Sequence, residues 1–186
     1  SPVQVAGGVS AVAAGGWHSL YQKTDETMWA MGFNSSAQLG DGTTTSRNSA
    51  VQIAGGVTAV SAGSEHSLYV KTDGTLWAMG ENFRGQLGDG ATTWRKSPVQ
   101  VTAGVSARAA GSTHCLYLTS DSTLWAMGNN SSGQLGDGTT SQRHSPVQVA
   151  VGVSAVAAGL SHILFVITDG TLWAMGYNTF GQLGDG

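Results

Sequence analysis

Only one cysteine, Cys115, occurs among the 186 residues, which excludes an internal disulfide framework and any multi-cysteine zinc site. Proline is almost missing, with three residues, so the chain is neither collagen-like nor a proline-rich linker. Charge is scarce too: acidic and basic residues make up 10% of the chain, against roughly a quarter in an ordinary domain. Eight basic residues face eleven acidic ones, for a net charge of −3. No basic stripe is present to neutralise a phosphate backbone, which argues against a nucleic-acid partner. No uninterrupted apolar run reaches the roughly 18 residues of a membrane span, so none is expected. A signal-peptide pattern is absent, and the chain opens on Ser1-Pro2, which reads as a processed, trimmed or excised piece. What is present is apolar: 40% hydrophobic residues exclude a charge-solvated disordered chain, and 28 glycines point to many turns.

Those glycines are periodic. Trp-Ala-Met-Gly occurs four times, at Trp29, Trp77, Trp125 and Trp173, in steps of 48 residues. His18, His66, His114 and His162 keep the same step, as do the Gln-Leu-Gly-Asp-Gly segments starting at Gln38, Gln86, Gln134 and Gln182. The repeats run 1–48, 49–96, 97–144 and 145–186, and the last is six residues short. A period in the forties with aromatic and glycine marks fits a four-stranded propeller blade. Helical repeats would need longer stretches of 3.6-residue periodicity with few glycines.

One repeat reads as four strands. Ser97–Val101 carries Pro98 near its start, as an edge strand can. Val105–Ala110 is built mostly from small residues and suits the crowded inner position. His114–Thr119 follows, and Asp73-Gly74 and Asp169-Gly170 in sister copies give a strong hairpin turn before the Trp strand. The expected fold is therefore all-β, a β-propeller of antiparallel four-stranded blades forming one unit. Each blade draws its outer strand from the next repeat. Ser1–Val5 has no preceding copy and the last repeat lacks a following outer strand, so the N-terminal strand is expected to close the ring, in cis or in trans.

Comparison among the copies separates frame from decoration. The turn before each His and the long loop after each Trp strand leave from the same side of the blade, and these segments vary most. They carry Trp17, Phe33, Glu65, Glu81, Phe83, Arg84, Trp94, Tyr177 and Phe180. Aromatics and arginine are the residues of interface anchors, so this rim is the candidate binding surface. The four equivalent histidines invite a metal reading, but ring geometry sets equivalent positions apart, and a structural role is expected. The repeated tryptophans are likewise structural marks.

Asp41, Asp89 and Asp137 each precede an arginine by six residues, as a loop-clamping pair would. No copy supplies an extra acid or base, so no catalytic residue, cofactor or metal is expected. Cys115 has no repeat-specific His or Asn beside it in sequence and is expected as a spare buried thiol. Asn34-Ser35-Ser36 and Asn130-Ser131-Ser132 match the glycosylation acceptor, a pattern frequent by chance.

Ala-Gly-x-x-His-Ser-Leu (Ala14–Leu20, Ala62–Leu68), Thr-Asp-Gly-Thr-Leu-Trp-Ala-Met-Gly-x-Asn (Thr72–Asn82) and Gly-Gln-Leu-Gly-Asp-Gly (Gly85–Gly90) resemble the regulator of chromosome condensation repeat family. The resemblance covers nearly the whole chain and is nearest to bacterial multi-copy members. It implies a propeller, usually of seven blades, that acts as a binding platform. Four copies depart from seven: the chain closes alone, two chains form an eight-bladed ring, or the chain is a slice of a longer array.

The expected function is a non-enzymatic protein-binding or structural scaffold with an unknown protein partner or self-association. The alternatives are a lectin-like carbohydrate binder and a recently amplified or engineered repeat with no selected partner. A secreted or cell-surface bacterial location is expected over a cytoplasmic one.

Overall fold

The computed structural model describes all residues from Ser1 to Gly186. It contains fifteen strands and no helix, so no helix is long and apolar enough to cross a membrane. The first sheet runs in chain order: β1 (Val9–Ala14), β2 (His18–Lys23), β3 (Met28–Gly32) and β4 (Arg47–Ala54). The second is β5 (Val57–Ala62), β6 (His66–Lys71), β7 (Leu76–Gly80) and β8 (Arg95–Thr102). The third is β9 (Val105–Ala110), β10 (His114–Thr119), β11 (Leu124–Gly128) and β12 (Arg143–Ala150). The fourth has only β13 (Val153–Ala158), β14 (His162–Ile167) and β15 (Leu172–Gly176). All pairings are antiparallel, and the outer strand of each complete blade comes from the following repeat. These outer strands begin at Arg47, Arg95 and Arg143, earlier than the Ser-Pro-Val run suggests.

Strand alternation gives every blade two apolar faces, and the core is the set of joints between them. At the first joint Leu20, Met28, Ala30 and Leu39 meet Val57, Val60, Tyr69 and Met79 of the second blade. At the next, Leu68, Leu76, Ala78 and Leu87 meet Val105, Cys115, Tyr117 and Met127. The third repeats the arrangement with Leu116, Leu124, Ala126 and Leu135 against Val153, Ile163 and Phe165. Each Trp strand also stacks its indole on the aromatic opposite it: Tyr21–Trp29, Tyr69–Trp77, Tyr117–Trp125 and Phe165–Trp173 lie 6.2–6.3 Å apart.

The chain does not close on itself. The first and last blades share no ladder, and Ser1–Val5 forms no strand. Blades that turn about 45–51° each, as in eight- or seven-membered rings, sweep only about half a circle in four steps. Of the two expected pairings of Ser1–Val5, the one within a single chain is absent. Val3 and Val5 instead border a cleft with Val9, Val12 and Tyr21 on the open face of the first blade. Both end faces expose apolar side chains. Val12 is 76% exposed where its counterpart Val60 is 4%, and Leu172 is 66% exposed where Leu76 and Leu124 are fully buried.

The inner turns explain one fixed glycine. The His66 ring lies on the Gly63 backbone, and a Cβ there would meet His66 Cε1 at 2.1 Å and the Gly111 carbonyl oxygen at 2.6 Å. Gly63→Ala is expected to cost about 1–3 kcal/mol in urea unfolding. Gly55→Ala, where a Cβ meets nothing within 4 Å, is the neutral control. An unchanged midpoint for Gly63→Ala would show that the ring does not depend on this contact.

Candidate binding site

A shared backbone bond builds the rim. The residue after each Trp strand donates its N–H to the carbonyl of the residue before the blade's histidine. Phe33 bonds to Trp17 and Glu81 to Glu65, each at 2.9 Å, with Asn129 to Thr113 and Tyr177 to Ser161 in the same way. Two variable side chains are thus held side by side on each blade. On the first blade they are both aromatic, and on the second both are carboxylates.

The first joint brings these pairs together. Trp17, Phe33 and Glu65 line a cleft of about 370 Å³. Ser36, from the first blade's long loop, donates its hydroxyl to Glu65 Oε2 at 2.5 Å and fixes that carboxylate from the far side of the joint. Partial burial, and then the charge of Glu65, push the Glu81 carboxyl above its usual range; Arg84 and the Gln86 amide act against that shift. The Gln86 amide donates to Glu81 at 3.2 Å. Neither glutamate forms an ion pair: the chain's salt bridges are confined to the aspartate–arginine pairs of the long loops.

The other rim residues form separate groups. Phe83 and Trp94 pack edge-to-face at 5.3 Å in the second blade's loop, and Tyr177 and Phe180 do so at 6.2 Å in the fourth. Arg84 lies near enough to Glu81 for its charge to be felt. The sequence placed all nine residues on one rim, whereas the structure divides them into three clusters. Ser36 belongs to the variable segment after the Trp strand, and its bond to Glu65 joins two repeats, which comparison of single copies does not show.

Beneath the rim, a fixed frame holds the loops. Buried Asn34 donates to Asp41 Oδ1 and to the Thr43 and Thr45 carbonyls, and accepts from the Leu39 N–H. Asp41 in turn takes Arg47 at 2.6 Å, and Asp137 takes Arg143 at the same distance. Asn130 repeats the role of Asn34. Both asparagines are fully buried, so the two glycosylation-like triplets are closed to a glycosyl donor in the folded chain.

Two of the four histidines reach across a joint. His18 Nε2 meets Ser67 Oγ at 2.8 Å, and His66 Nε2 meets Cys115 Sγ at 2.9 Å. The next position, opposite His114, is the apolar Ile163, and both His114 nitrogens lack a partner. Cys115 therefore does have a histidine beside it, supplied by the preceding blade. The pair is unsuited to nucleophilic chemistry. Both side chains are fully buried, and burial pushes the thiol far above its ordinary range. No group of three or more His, Cys, Asp or Glu side chains is arranged to hold a metal ion.

Wedge-shaped antiparallel sheets joined face to face, with variable loops on one rim, define a β-propeller blade array. The chain belongs to the regulator of chromosome condensation (RCC1) repeat family, whose repeat matches residues 25–70, 73–118 and 121–166. A second description of the same repeat matches 57–86, 105–134 and 153–182. No curated protein sequence matches the chain. Among solved structures, human WBSCR16 superposes with a TM-score of 0.83 at 27% identity, over 91% of this chain and 47% of that one. Yeast RCC1 (Prp20), solved bound to Kap60, gives 0.81 at 22% identity over 95% and 45%. The chain thus spans about half the length of these solved relatives.

Burial holds His18 and His114 down to about 4, and His66, which also feels its neighbouring histidines, to about 3. These values lie below the ordinary 6.5, so the unfolded chain binds protons that the folded chain refuses. Stability is complete above about pH 6.5 and is lost as the pH falls toward 4, by up to about 1.4 kcal/mol per pH unit for each histidine. Melting temperature should fall steeply between pH 6.5 and 4.5. A flat profile there would show that these rings are not buried as neutral groups.

Proposed function

We propose that the chain is a non-enzymatic protein-binding scaffold whose rim takes a cationic side chain of its partner. The single observation that carries this reading is the cleft at the first joint, where the aromatic pair Trp17 and Phe33 faces the carboxylate of Glu65. Trp17 and Phe33 supply π faces to a lysine or arginine head, and Glu65, which has no ion-pair partner, supplies the carboxylate, with Glu81 beside it on the same blade. No other joint combines the two: Thr113 and Asn129 occupy these positions on the third blade, and Ser161 and Tyr177 on the fourth. The Phe83–Trp94 pair extends the apolar part of the surface, in keeping with interface anchors. Protein binding by a relative supports the reading, since yeast Prp20p has been studied for its binding to Gsp1p and histones. The rim works as part of a closed propeller.

Titration with N-acetyl-arginine amide and N-acetyl-lysine amide tests the cleft, read by the indole NMR signal of Trp17. A saturable shift is expected with both and none with neutral N-acetyl-glutamine amide. Glu65→Gln combined with Glu81→Gln should weaken binding by about tenfold or more. Trp17→Ala, at a residue 75% exposed, should weaken it without unfolding the chain. An equal response to the neutral amide would defeat the cationic assignment.

A further inference from the structure

The two end faces of the chain are the two halves of a joint that the chain already makes three times. On the fourth blade, Leu164, Leu172, Ala174 and Leu183 stand at the positions of Leu20, Met28, Ala30 and Leu39. On the first blade, Val9, Val12, Tyr21 and Met31 stand at the positions of Val57, Val60, Tyr69 and Met79. We propose that the occupant of each end face is a second copy of this chain, and that two copies close an eight-bladed ring. This rests on the closed-propeller reading above and names what closes it. Four blades turning about 45° each span half a ring, so two copies supply one.

Three further features fit the same partner. First, β15 is an uncovered sheet edge, while Ser1-Pro2-Val3-Gln4-Val5 repeats the Ser-Pro-Val-Gln-Val run of β8 and β12. In the third blade Ala126 pairs with Val147 and Trp125 with Gln148. The same register sets Ala174 against Val3 of the second copy and Trp173 against its Gln4.

Second, every internal joint carries a backbone bond on the hairpin side, from Val57 to Glu26, Val105 to Gly74 and Val153 to Ser122. The next member of the series runs from the Val9 N–H to the Gly170 carbonyl of the second copy. Third, a bond on the inner side links neighbouring blades, from Gly16 to Gly63, Ser64 to Ser112 and Ser112 to Leu160. The Leu160 N–H has no backbone acceptor in its own chain and continues that series.

A two-fold axis through the ring makes the two closing joints equivalent, so the assembly is finite and the edge of β15 is covered. Eight blades need about 45° per joint, close to the roughly 51° of a seven-bladed ring. All joints then carry the same type of interface.

Light scattering should give a mass of about twice 19.0 kDa. Leu172→Glu, at a position exposed within one chain, should give single chains that keep the β circular dichroism of the parent. The register is read by mixing a chain carrying V3C with a chain carrying A174C, which should form a disulfide between the two chains under mild oxidation. A single-chain mass, a mass above two chains, a Leu172→Glu variant that still pairs, or a two-chain species without the cross-link would each overturn the proposal. A single chain carrying both V3C and A174C that cross-links internally would show a ring closed by one copy. That result defeats the second copy and leaves the closed ring standing.

Discussion

Face-to-face burial of one blade against the next is the interaction on which the whole molecule depends. A single sheet of this sequence has apolar side chains on both sides and no interior of its own. Leu76 and Val60 are buried only because a neighbouring blade covers each of them. Most other features serve that contact. The small residues of the inner strands let sheets converge, the stacked Tyr–Trp pairs widen each wedge outward, and the Leu of Gln-Leu-Gly-Asp-Gly tucks the long loop into the joint.

The loops answer to a different constraint. The Asn–Asp–Arg frame fixes where each loop leaves the blade and returns, using side chains that point inward. The side chains on the outer surface of the loop take no part in that frame. Trp17 and Phe33 can therefore stand where the next blade has Glu65 and Glu81, with the backbone bond between the two positions unchanged. The fold is carried by the joints and the loop frame, and the variable positions change without altering that backbone bond.

Much of this was legible in the sequence, because a strict period reports geometry directly. The strand order, the borrowed outer strand, the inner Ala-rich strand and the side from which the variable loops emerge all follow from one repeat read carefully. Relations between repeats were harder to see. Cys115 looked isolated because its histidine lies 49 residues away on the preceding blade, yet the His18–Ser67 contact has the same offset and was readable in principle. The grouping of Trp17, Phe33 and Glu65 depends on which loops a joint brings together, and spacing along the chain does not encode that. The fate of Ser1–Val5 was the least legible, since its run repeats an outer strand but meets no sheet edge within one chain.

The near-identity of the joints has a consequence for how such a molecule changes over time. Because each wedge meets its neighbours through largely equivalent positions, removing or duplicating one whole 48-residue unit remakes most of the contacts it breaks, the exceptions lying where the joints differ, as at Ser67, Cys115 and Ile163. Only circumference changes. Unequal recombination between the matching stretches of the gene would yield foldable products at a rate that point mutation of an ordinary core cannot match. The number of blades is then the most easily varied property of this architecture, and the residues on the rim are free to vary independently of it.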